Sequence, residues 1–176
     1  MPNHCNNLLL LSNDEVQIIV DNYIREDENG GKYFDFEKII PVGEIESWYF
    51  ERVEKWGTKW VGYDLYIGED NIEFFTAWSP PIGIIEKLAE LHKDITFRLE
   101  YYEAGMNYRG VATAKWQDGK VLFDDKYWDM TKEDLIELGL FDEDSYNEYI
   151  KTQGGKLCIT TLFSWLKRKI LKTLNL

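Results

Sequence analysis

The sequence predicts an α+β fold in which one antiparallel sheet carries helices on one face, and three observations predict it. Strand-patterned runs recur at Tyr63–Ile67, Ile72–Trp78 and Ile95–Tyr102, and a further hairpin joins Asn107–Trp116 to Lys120–Phe123. Between them stand segments of helical period, each bounded by cap or breaker residues. The 176 residues, 44% hydrophobic and 15% aromatic, supply a core for one domain with an appendage and exclude intrinsic disorder despite 30% charge.

In chain order, Asn6–Ser12 reads as a short buried strand. Ser12-Asn13-Asp14-Glu15 then supplies cap chemistry for a helix with Val16, Ile19, Val20 and Tyr23 on its apolar side. Charge and the Gly30-Gly31 pair make Arg25–Gly31 an exposed loop, followed by alternating aromatic and acidic positions in Tyr33–Pro41. A second helix covers Glu46–Trp56, because Trp48, Tyr49, Arg52, Val53 and Trp56 fall at helical spacing and Gly57 stands at the C-cap. The runs Tyr63–Ile67 and Ile72–Trp78 form a hairpin across Gly68-Glu69-Asp70-Asn71. Proline cannot continue a strand but suits a first helical turn, so Ser79-Pro80-Pro81 ends the hairpin and opens a helix over Ile82–His92. Ile95–Tyr102 is a strand, and Asn107–Trp116 pairs with Lys120–Phe123 through a type I′ turn at Asp118-Gly119. The order is that of a split βαβ, ferredoxin-like sheet with an added hairpin. Its inward set is Leu65, Ile67, Phe74, Phe97 and Leu99.

From Asp124 onward the character changes. Residues 124–150 hold ten acidic side chains against Lys126 and Lys132, with helical patterns around Thr131–Leu138 and Asp144–Ile150. The domain reading is therefore a ferredoxin-like domain at 1–123 and a helical extension at 124–176. The extension ends in a basic amphipathic helix that carries Leu162, Phe163, Leu166, Ile170 and Leu174 on one side, expected to dock on the anionic body. The net charge of -12 disfavours direct binding of nucleic acid or anionic lipid. No stretch approaches the ~20 apolar residues of a membrane span, so a cytoplasmic location is expected.

Several segments carry a resemblance. Phe34-Asp35-Phe36-Glu37-Lys38-Ile39-Ile40-Pro41, Trp56-Gly57-Thr58-Lys59-Trp60, Thr76-Ala77-Trp78-Ser79-Pro80-Pro81 and Glu103-Ala104-Gly105-Met106 follow one another in the order seen in a known family. With the Met1-Pro2-Asn3-His4 opening and the Asn7-Leu8 pair, they resemble the YubB-type ferredoxin-like family of phage and plasmid proteins over roughly residues 1–122. The resemblance implies a ferredoxin-like fold and a mobile-element origin, and it implies no reaction.

Candidate sites follow from chemistry. Cys5 and Cys158 match no zinc or redox spacing and read as reduced thiols. His4 and Cys5, adjacent on a strand, point to opposite faces, so no metal site and no cofactor are expected. Asp142-Glu143-Asp144 opens like a calcium loop, but Tyr146 and Asn147 stand where an oxygen ligand and a glycine belong. Trp48, Trp56, Trp60 and Trp78 form an aromatic motif, expected to fill the layer between helix and sheet.

The leading functional expectation is a non-enzymatic binding protein. Its acidic surface, built from Asp124, Asp125, Asp129, Glu133, Asp134, Glu137, Asp142, Glu143, Asp144 and Glu148, engages a basic, nucleic-acid-binding host protein. A defence-system inhibitor acting as a nucleic-acid mimic is one form of that reading. Two alternatives stand beside it: a small enzyme using a carboxylate cleft with Glu100 and Glu103, and an RNA-binding module stacking bases on Tyr66, Phe75 and Tyr102 of the open sheet face.

Overall fold

The computed structural model describes residues 3–152. The expected basic terminal helix and Cys158 lie outside the described residues.

The first strand, β1 at His4–Leu10, begins and ends about two residues before its expected place. Ser12 caps helix α1 at Asn13–Tyr23 through a capping box in which Glu15 reaches back to the Ser12 N–H at 2.7 Å. Most of the expected exposed loop is the exposed turn at 27–31, but it closes a small ribbon that was not expected, β2 at Ile24–Glu26 paired with β3 at Lys32–Phe34. Turn chemistry accounts for the difference. The Asp27 carboxylate accepts from the N–H groups of Asn29 and Gly31 at 2.8 and 2.9 Å, and Gly30 takes φ +81°, so polar residues close a turn that hydropathy alone reads as loop.

A 3₁₀ turn at Phe36–Lys38 leads to helix α2 at Trp48–Trp56, closed by Gly57 in the left-handed region at φ +87°. Strands β4 at Tyr63–Ile67 and β5 at Asn71–Ala77 form the expected hairpin. Helix α3 spans Ile82–Leu91 and strand β6 spans Thr96–Glu103. Strands β7 at Tyr108–Gln117 and β8 at Lys120–Asp129 follow, turning at Asp118 and Gly119 with the two positive φ values of a type I′ turn.

The sheet order is β4-β5-β1-β6-β7-β8. Its first four members are the ferredoxin-like arrangement. The strand that starts the chain lies between β5 and β6 and is antiparallel to both, with Asn7 opposite Phe74 on one side and Tyr101 on the other. Alternation sends Cys5, Leu9, Ile72, Phe74, Phe97 and Leu99 into the core, where Val16 and Ile19 of α1 and Ile84, Ile85 and Leu88 of α3 are also buried. Leu65 and Ile67, expected inward, are only half-buried because β4 is an edge strand.

The acidic segment does not begin as helix. Strand β8 continues to Asp129, so Asp124, Asp125 and Asp129 lie on a strand, and helix α4 at Lys132–Glu137 starts only after the Thr131 cap. Helix α5 covers Glu143–Thr152. The described chain gathers into two compact units, residues 3–103 with 110–127, and residues 104–109 with 128–152. Met130, Leu135, Phe141 and Tyr149 are buried in the second. No described helix is long and apolar enough to cross a membrane.

Candidate partner-binding surfaces

Six of the ten acidic candidates have internal partners. Asp125 accepts from the buried Tyr101 hydroxyl at 2.7 Å, and burial together with that carboxylate pushes the Tyr101 pKa far up. Asp124 pairs with Lys126 at 2.8 Å. Asp134 completes the capping box with Thr131 and also binds Arg109 at 2.8 Å. Burial raises the Asp134 pKa, but the Thr131 N–H and hydroxyl and the Arg109 guanidinium outweigh it and hold the carboxyl below its usual range. Glu137 takes the same guanidinium at 3.1 Å, and Arg109 also lies 5.8 Å from the centre of the Trp128 ring. Glu143 pairs with Lys132 at 2.6 Å, and Asp142 accepts from the Ser145 N–H at 2.7 Å at the start of α5.

Asp129, Glu133, Asp144 and Glu148 differ from these. All four are exposed and make no ion pair among the described residues. A sequence count treats all ten alike, whereas of the ten only these four are exposed without an ion pair or a side-chain hydrogen bond among the described residues.

The tryptophan motif also divides. Trp56 alone is fully buried, donating to the Ile40 carbonyl at 2.8 Å and packing edge-on against Phe36. Trp48 and Trp78 are 39% and 41% exposed and Trp60 is half-buried, so the expectation that all four fill the helix–sheet layer is corrected. The reason is geometric. A nine-residue helix packing through Trp56 turns its preceding residues outward, and Arg52 covers Trp48 and Trp56 with its guanidinium 5.1 and 4.6 Å from the ring centres. Glu37 fixes Arg52 at 2.7 Å while accepting from the N–H groups of Val42 and Gly43. Burial raises the Glu37 pKa, and these donors together more than reverse it.

The sequence reading also misses how much of this region is exposed. Ile45, Tyr49, Phe50 and Val53 are 42–74% exposed, with Phe50 at 74%. A signal was present: successive residues of a helix lie about 100° apart, so Trp48-Tyr49-Phe50 cannot all face one core.

Two motifs lock the neighbouring corner. The Thr58 hydroxyl donates to the Ala77 carbonyl at 2.9 Å, the Ser79 hydroxyl to the Gly57 carbonyl, and the Thr76 hydroxyl to the Ser79 carbonyl at 2.7 Å. A Cβ at Gly57 would stand 2.8 Å from the Pro80 carbonyl oxygen. Between these anchors Trp78 sits at φ +72°, a conformation costly for a bulky side chain.

On the other face of the sheet, register places Phe75, Asn6 and Tyr102 in one row and Glu73, Leu8 and Glu100 in the next. Tyr66 stands beside Glu73 and is 62% exposed. The aromatics expected to stack bases are thus brought together, with carboxylates that oppose phosphate among them. Glu100 and Glu103 do not form a cleft. They project from opposite faces of β6, Glu103 fully buried and Glu100 bound to Arg98 at 2.7 Å. No group of three or more His, Cys, Asp or Glu side chains among the described residues could hold a metal ion. Cys5 is fully buried.

No curated protein and no solved structure matches the chain significantly. A family model does match, over residues 55–149, from the end of α2 through the acidic segment into α5. That family is described as the ferredoxin-like domain in Api92-like protein, and with more than half of its length matched and the ferredoxin-like strand order present, this chain belongs to it.

Proposed function

We propose that this chain is a non-enzymatic binding protein of phage or plasmid type, whose acidic surface engages a basic, nucleic-acid-binding protein of the host and imitates the charge of the nucleic acid. The observation that supports this reading is the set Asp129, Glu133, Asp144 and Glu148. These carboxylates are exposed and without an ion pair among the described residues, on a chain of net charge -12. Unneutralised surface charge raises the rate of encounter with an oppositely charged partner and costs little folding stability.

The test compares the full chain with the quadruple variant Asp129→Asn, Glu133→Gln, Asp144→Asn and Glu148→Gln in binding to basic proteins captured from the host. Association should slow about tenfold or more in the variant with little change in dissociation. Added salt should weaken the parent complex, and duplex DNA should displace the captured protein. Capture that ignores salt, DNA and all four substitutions would remove the acidic surface from the mechanism.

A further inference from the structure

We propose that the exposed aromatic face of α2 is a self-association surface, on which two copies of this chain meet across a two-fold axis and each inserts Phe50 into a cleft of the other. The inference does not rest on the acidic surface. It rests on a knob, a hole and a local charge that occur together on one patch.

The knob is Phe50, at 74% the most exposed large apolar side chain of the described residues. Tyr49 stands edge-on to it with ring centres 5.4 Å apart, which limits the conformational freedom an unsupported ring would lose on binding. The hole lies beside it. Tyr49, Val53, Lys59 and Trp78 line a cavity of about 170 Å³, and a cavity of about 150 Å³ holds a benzene ring. Trp78 forms one wall in its left-handed conformation, kept in place by the hydrogen bonds of Thr58, Thr76 and Ser79. Strain held by a well-bonded frame at a surface aromatic is a mark of a residue positioned for contact.

A two-fold contact requires one patch to be complementary to itself. Phe50 and the cleft satisfy this, because they sit on the same helix, with Tyr49 adjacent to the knob and Val53 one turn further on. The charge pattern selects the same occupant. Residues 44–60 carry four acidic side chains, Glu44, Glu46, Glu51 and Glu54, against Arg52, Lys55 and Lys59, a balance of -1 on a chain of -12. Arg52 and Lys55 are paired with Glu37 and Glu51 within the chain. A strongly basic partner gains little from so nearly neutral a patch. Two anionic copies, by contrast, meet there with less repulsion than on a strongly acidic face.

Sedimentation or light scattering of the full chain over a concentration series decides the matter. The expected result is a mass that rises from the 20.9 kDa of one chain to twice that value. Phe50→Glu and, separately, Val53→Arg should weaken the dimer by roughly 30-fold or more, the scale of an interface hot spot. Circular dichroism melting checks that both variants fold, as their exposed positions predict. Salt provides an independent readout: screening like charges should strengthen the dimer, whereas it weakens capture of a basic protein. A chain that stays monomeric at roughly millimolar concentration, or a dimer indifferent to both substitutions, would overturn the proposal. Either outcome leaves the salt-sensitive capture experiment standing on its own.

Discussion

Replacing Gly83 by alanine should destabilise this protein, although helix propensity predicts the reverse. Gly83 is the second residue of α3, and Gly→Ala within a helix ordinarily gains about 0.5–1 kcal/mol. The obstacle is the neighbouring helix. A Cβ at Gly83 would overlap the carbonyl oxygen of Lys55, stand 2.9 Å from that carbonyl carbon and touch Trp56 Cα at 3.5 Å. All three atoms are backbone, so no rotamer change relieves the overlap. To relieve the overlap with the Lys55 oxygen, the tightest of the three contacts, the last turn of α2 must withdraw by about an ångström. That withdrawal strains the seat of Trp56, which is fully buried and bonded to Ile40. Overpacking of this kind costs about 1–3 kcal/mol, and against a rigid backbone the upper half of that range applies. After the propensity gain, the net loss is about 1–2.5 kcal/mol. Urea unfolding followed by tryptophan fluorescence measures it as a lower midpoint at constant slope. A midpoint equal to or above that of the parent would refute the close approach of α2 and α3.

Further expectations follow from burial and charge. Phe97→Ala removes a fully buried ring and should cost about 3–5 kcal/mol in the same unfolding assay, and a loss under about 1 kcal/mol would contradict its place in the core. Asp134 has a folded pKa below its unfolded one, so its contribution is complete above the usual carboxylate range and is lost as pH falls through the lowered folded value. Asp134→Asn should therefore lower stability near neutral pH and flatten the decline of stability below about pH 4. An acid limb of unchanged steepness would show that the Thr131 and Arg109 contacts do not persist in solution.

The strands and helices of the sheet were legible because each has a local cause. Apolar alternation specifies β5 and β6, Ser12 with Glu15 specifies the start of α1, Asp118-Gly119 specifies the last turn, and Gly57 stops α2. The pairing of distant segments left weaker traces. Nothing near residues 4–10 states that they will lie between β5 and β6, some 60 and 90 residues further on, because hydrogen-bond pairing between strands carries no sequence code beyond period and register.

Charge and aromaticity were visible in the sequence as composition, and only the fold assigned their roles. Asp134 and Glu137 converge on Arg109 because β7 and α4 bring residues about 25 positions apart within 3.1 Å, whereas Glu133, next in sequence to Asp134, points to solvent. Trp56 and Phe50 lie on one short helix, yet one is the fully buried anchor of that helix and the other its most exposed ring. Helical phase gave their angular separation from the sequence alone. Which angle faced the core depended on where α3 could approach most closely, and that was settled at Gly83, against the backbone of Lys55 and Trp56.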